Sequence, residues 1–179
     1  DALIQGGAIS VPPDAKLDRC LYLRLDMIAG LVAGGAVAHT IGIVEAFRKR
    51  LKGLTFVCFE RLPALAEDVD VAVAPMTSKS GLGSNNPIVG FEAIAYHPQM
   101  LHCLKQVCGT RRPAFLYQRY CQGQYAGVWF ARQNSIPFVL EFNGSEIWIA
   151  RHWGDGIGRK TIPGEEVLQK IEDANLASA

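Results

Sequence analysis

The chain has 179 residues, 49% of them hydrophobic and 20% charged, with a formal net charge of +1. That length supplies one substantial core and is short for two ordinary domains. The near-neutral balance argues against an electrostatic nucleic-acid binder, which would carry a basic face, so no nucleic-acid partner is expected.

Residues 1–19, with Gly6-Gly7 and Pro12-Pro13, read as a loosely ordered lead-in, and 20–179 as a single α/β domain. A strand is predicted over 20–26, running toward the glycine pair Gly34-Gly35. A helix over 37–51 follows, with Val37, Ile41, Val44, Phe47 and Leu51 on one stripe. Strands are predicted at 55–60 and 70–74, and the glycine- and serine-rich 79–86 is a loop. Then come a helix at 91–108, a strand at 114–120, a helix at 122–134, a strand at 138–142 and a helix at 165–177. Gly53, Gly109 and Pro137 mark breaks between elements. Alternating strands and helices are the signature of a mostly parallel sheet with helices on its faces.

In open sheets of this kind ligands bind at the carboxyl ends of the strands. Those ends carry Asp26 with the glycine loop, Arg119-Tyr120, and the run Glu141-Phe142-Asn143-Gly144-Ser145-Glu146. Gly34-Gly35 is a backbone without side chains at the mouth of a helix. Free N–H groups and the helix dipole favour an anion there, such as the phosphates of a nucleotide or sugar nucleotide. The bland alternative is an ordinary strand-to-helix turn. His39, in the first turns of that helix, is either a site residue or a hydrogen-bonded core histidine. Arg119 closes an apolar strand, where an unpaired arginine is costly. It therefore has an anionic ligand or a carboxylate partner, and Glu141 of the next strand is the candidate. Trp129 is expected in the core. Trp148 and Trp153 stack on a sugar face or cap the core.

Other motifs are weaker. Gly81-Leu82-Gly83 does not follow a strand and is a poor dinucleotide fingerprint. Asp68-Val69-Asp70 precedes its strand and reads as a solvated strand entrance rather than a metal-binding D-x-D. His97, His102 and His152 are too scattered to form a zinc set. Gly158-Arg159-Lys160-Thr161 lacks the first glycine and the strand of a phosphate loop. Cys20, Cys58, Cys103, Cys108 and Cys121 are odd in number, form no C-x-x-C pair, and read as reduced, mostly buried thiols of a cytoplasmic protein. Arg48-Lys49-Arg50-Lys52 complements a helix C-terminus; peripheral contact with anionic lipid headgroups is the alternative. The apolar stretch 27–44 has the length of a short membrane span, but its four glycines and His39 argue against one.

Several segments together resemble the family 4 glycosyltransferases. Ala33-Gly34-Gly35-Ala36-Val37-Ala38-His39, followed by Ile41-Gly42-Ile43-Val44, looks like the glycine loop of that family. Tyr117-Gln118-Arg119-Tyr120, Gly127-Val128-Trp129-Phe130-Ala131, and Ile136-Pro137-Phe138-Val139-Leu140-Glu141-Phe142-Asn143 repeat its order. The closing Ile171-Glu172-Asp173-Ala174-Asn175-Leu176-Ala177 is similar to the helix before its next core strand.

The resemblance implies a Rossmann-like three-layer domain, the N-terminal, acceptor-side half of a GT-B fold whose two domains face each other across the reaction cleft. Gly34 and Gly35 would lie against the donor diphosphate. His39, Arg119, Glu141 and Asn143 would serve catalysis, Asn143 standing where many relatives carry a histidine near the transferred sugar. Glu146 and Trp148 would contact the acceptor or sugar. The expected activity is retaining sugar transfer from a nucleotide-sugar donor to a carbohydrate or lipid-linked acceptor, without a metal or other cofactor. The chain has no Glu-x7-Glu motif, which the family places in its second domain, so an excised first domain is the economical account. Alternatives are a sugar-nucleotide epimerase or phosphorylase of the same architecture, or a non-catalytic flavodoxin-like nucleotide- or sugar-binding module.

Overall fold

Among the described residues the apolar runs form one sheet of five parallel strands: β1 (Arg19–Arg24), β2 (Gly53–Cys58), β3 (Asp70–Val73), β4 (Phe115–Arg119) and β5 (Phe138–Glu141). The computed structural model describes residues 11, 13–26, 30–74, 91–110, 112–152 and 164–179. The loop at 79–86 with Gly81-Leu82-Gly83, Trp153 and Gly158-Arg159-Lys160-Thr161 lie outside them. So do Met27, Ile28 and Ala29 of the apolar stretch, and Gly6-Gly7 and Pro12 of the lead-in. The helices are α1 (Gly35–Arg50), α2 (Phe91–Thr110), α3 (Ala126–Gln133), α4 (Glu146–His152) and α5 (Glu165–Leu176).

Parallel neighbours cannot be joined by a tight hairpin, so α1, α2 and α3 carry the chain between strands. The strand order is β3-β2-β1-β4-β5. The chain first builds outward from β1 to β3, then returns to lay β4 on the other side of β1. That reversal places a crevice at the carboxyl ends of β1 and β4, where a Rossmann-like sheet binds its ligand.

Pleat alternation sorts the side chains into two layers. Cys20, Tyr22, Phe56, Cys58 and Phe115 face α1 and form one core with Val37 and Val44, against which Ile41, Phe47 and Leu51 pack. Tyr22 meets Phe56 and Tyr117 edge-on at 5.3 and 5.1 Å between centroids. Leu21, Leu23, Val57, Leu116 and Phe138 point the other way, toward Met100 and Leu104 of α2 and Val128, Phe130 and Ala131 of α3. The helices therefore cover both faces, as a doubly wound sheet requires.

Polar contacts lock α5 onto the second layer. Gln118 Nε2 donates to Asn175 Oδ1 at 3.3 Å, while Asn175 Nδ2 donates to the carbonyls of Gln124 and Ile171 at 2.9 and 2.8 Å. Gly127 lets α3 close onto this network, because a Cβ there would stand 1.9 Å from Gln118 Oε1.

Three expectations need correction. Helix α3 begins at Ala126 rather than at 122, because the buried Gln124 spends its side chain on the carbonyl of Leu25 at 3.2 Å, ahead of the helix. Trp129 is half-buried rather than core, since the inward face of α3 belongs to Val128, Phe130 and Ala131. The seven-residue α4 was not foreseen; it starts where Ser145 Oγ accepts the Trp148 backbone N–H at 3.1 Å. Other boundaries shift by one or two residues.

Candidate functional site

Arg24, Arg119 and Glu141 are the last residues of β1, β4 and β5, and the register pairs Arg24 with Arg119 and Arg119 with Glu141. Cross-strand partners share a face, so three charged side chains form one row beneath the start of α1.

Glu141 is the hub of this row. Its Oε1 accepts from Arg119 and, at 2.7 Å, from Asn143 Nδ2, and lies 3.1 Å from His39 Nε2. Its Oε2 accepts from the Tyr117 hydroxyl at 3.2 Å. Burial, with this carboxylate adding to it, pushes the Tyr117 hydroxyl pKa well up. His39 is 47% exposed, which rules out the core-histidine alternative and places its ring at the rim.

Arg24 is almost wholly buried, and its fork grips Asp26: Nε donates to Oδ1 at 2.9 Å and Nη2 to Oδ2 at 2.7 Å. Its Nη1 donates to Thr40 Oγ1 at 3.2 Å, tying the β1 end to α1. A bidentate carboxylate is what makes a buried guanidinium tolerable. Sequence reasoning passed over Arg24 and Thr40. With the strand expected to run to 26, Arg24 stood inside it and lacked the strand-end position that exposed Arg119.

Gly34 caps α1 with φ 124°, a backbone that side chains resist, and no side chain caps the helix. No acidic residue occupies its first turn, and Gly34, Gly35 and Ala36 are exposed. The loop leading in is anchored where Gly30 N–H donates to Glu60 Oε2 at 2.7 Å. The result is an uncapped helix N-terminus opening over the charged row, with the dipole favouring an anion.

Between these parts lies a cavity of about 210 Å³ whose wall includes Arg24, Asp26, Ala36, Arg119, Asn143 and Glu146. Burial raises the Glu146 carboxyl pKa; Arg119 opposes this, while Glu172 and Asp26 add to it. Gly34, Gly35, His39, Arg119, Glu141, Asn143 and Glu146 are thus gathered at one rim. Trp148 is not on the cavity wall. It is 49% exposed on α4, with one ring face stacked on His152 at 4.2 Å, so it does not cap the core.

Two cations of the basic cluster have local partners. Arg48 pairs with Glu45 and Asp68, and Lys52 with Asp18 at 3.0 Å, while Lys49 and Arg50 are exposed in the last turn of α1. Asp68 and Asp70 are exposed at the entrance to β3. All five cysteines are free, three of them buried. Among the described residues, no cluster of His, Cys, Asp or Glu could hold a metal ion, and no helix is long and apolar enough to cross a membrane. No protein-family model and no curated protein matches this chain.

Proposed function

We propose that this chain is the acceptor-side, Rossmann-like domain of a retaining glycosyltransferase resembling family 4, acting on a nucleotide-sugar donor. One observation carries the reading. A side-chain-free helix mouth, Gly34-Gly35, opens directly over the His39–Glu141–Arg119 cluster at the point where the strand order reverses. Gly35 lacks the conformational reason that Gly34 has. Its φ is ordinary, and a Cβ on it would meet open space. A bare backbone there suits close approach of a diphosphate.

The chemistry is electrostatic. Amides at the mouth of α1 stabilise the negative charge that develops on the leaving diphosphate, worth roughly 10²–10³ in rate per donor group. Arg119, paired with Glu141, fixes that carboxylate in place at the same rim. Asn143 and His39 share the Glu141 carboxylate, so its charge is spread over several donors. A second α/β domain would close the cleft and exclude water. The compartment expected for such an enzyme is the cytoplasm, with an acceptor that is free or lipid-linked.

The test is to translate the reading frame beyond Ala179 and assay the complete protein for transfer from nucleotide sugars. A second α/β domain with Glu-x7-Glu is expected. Gly35→Val should then cut turnover about 10²-fold with the fold intact. Gly42→Ala, at an equally open position on α1, should leave turnover unchanged. Normal turnover in folded Gly35→Val would remove the diphosphate from this loop. A stop codon after Ala179 would favour a binding module.

A further inference from the structure

The cavity between the ends of β1 and β4 has a charge pattern that the glycine mouth does not account for. Its guanidinium groups are already answered from within the chain: Arg24 by Asp26 through two fork bonds, and Arg119 by Glu141. Glu146 is left over. Among the described residues no cation stands at ion-pair distance from its carboxylate, although it forms part of the cavity wall. Two guanidinium groups therefore face three carboxylates, Asp26, Glu141 and Glu146, in and beside this space.

A phosphate entering the cavity would meet Glu146 and Asp26 and find each arginine engaged. A hydroxyl or ammonium group would instead donate to Glu146. The volume, about 210 Å³, lies below the roughly 300–1,000 Å³ of pockets for drug-sized ligands and suits one small ring. The uncapped mouth of α1, next door at Gly34-Gly35, has the opposite preference. Anion and polyol thus have separate seats.

We propose that this cavity binds a neutral or amine-bearing monosaccharide unit, with Glu146 accepting a hydrogen bond from its hydroxyl or ammonium group, and that it rejects phosphorylated sugars. The inference rests on the sugar-transfer reading of the rim and names the class of acceptor. Burial is the main cause of the raised pKa of Glu146, and Arg119, already paired with Glu141, offsets only part of it.

The experiment follows backbone amide shifts of the chain by NMR during separate titrations with glucosamine, glucose, glucose 6-phosphate and uridine diphosphate at neutral pH. Glucosamine and glucose should move the amides of Asp26, Cys121 and Gly144, and glucose 6-phosphate at the same concentrations should not. Glu146→Gln should weaken glucosamine about tenfold and glucose less. Binding of glucose 6-phosphate as tight as that of glucose would overturn the proposal. So would the absence of a shift with either unphosphorylated sugar, or a Glu146→Gln variant that binds glucosamine normally. Uridine diphosphate reports separately at Gly34 and Gly35, which are not on the cavity wall. Silence there with sugar shifts retained would count against the transfer reading alone.

Discussion

His39 and Glu141 meet at 3.1 Å, and this contact joins the start of α1 to the last strand of the sheet. Glu141 is 9% exposed and Arg119 20%, so the cluster they anchor is only partly reached by water. Its integrity depends on one carboxylate.

Glu141→Ala should therefore destabilise the fold by about 2–3 kcal/mol, between the exposed and fully buried limits for breaking an ion pair. Arg119 loses its counter-charge, and Tyr117 and Asn143 lose an acceptor. Glu141→Gln should cost less, because a side-chain oxygen remains to accept. Urea denaturation compares them, and an unchanged midpoint for Glu141→Ala would mean that water replaces the carboxylate without loss.

Gly127→Ala should be worse than its single methyl suggests. The new Cβ would lie 1.9 Å from Gln118 Oε1 and 2.7 Å from Leu23 Cδ1. Gln118 is fully buried and bonded to Asn175, so it cannot swing away without releasing α5. Overpacking of this kind costs roughly 1–3 kcal/mol, and faster amide exchange in α5 should accompany the fall in thermal midpoint.

His97 should make the fold acid-sensitive. Burial against Tyr125, its ring stacked at 3.6 Å, lowers its pKa from 6.5 to about 4. Between those values the unfolded chain takes up a proton that the folded chain refuses, so stability falls as the pH drops from about 6.5 to about 4. Glu146, whose pKa is raised, works the other way as it takes up its proton on folding. The urea midpoint measured across this window should fall in the wild type and flatten in His97→Phe. Equal slopes would show that His97 is not the group responsible.

The strands were legible because pleat alternation and length agree: 20–26, 114–120 and 138–142 each overlap a real strand and overrun it by one or two residues. Their carboxyl rim, and with it the Arg119–Glu141 pairing, followed from parallel topology. Two things were hidden. Arg24 sits inside a run of leucines and reads as a strand residue until its fork is seen on Asp26, a contact two residues along that no periodicity reports. Helix α4 is too short for a hydrophobic stripe to emerge, and its signal was a capping serine, Ser145, read only as part of the rim run 141–146. Trp129 failed for a different reason. Residing in an amphipathic helix does not say which face is inward, and the neighbouring Gln118–Gly127 approach set that orientation.

The row Arg24–Arg119–Glu141 is built on parity. Each residue lies an even number of positions from an aromatic or apolar residue on the α1 side, Arg24 from Tyr22, Arg119 from Tyr117 and Glu141 from Val139. Removing a single residue from the bend before β4, at Ala114, would displace that strand's pairing by one step. Arg119 would then take the place of Gln118 in the α2–α3 layer, and Tyr120 the place of Arg119 at the rim. The chemistry of the rim is consequently encoded in odd and even counting along the backbone. Lengthening or shortening this segment by one residue should erase the cluster even though every one of its side chains is retained.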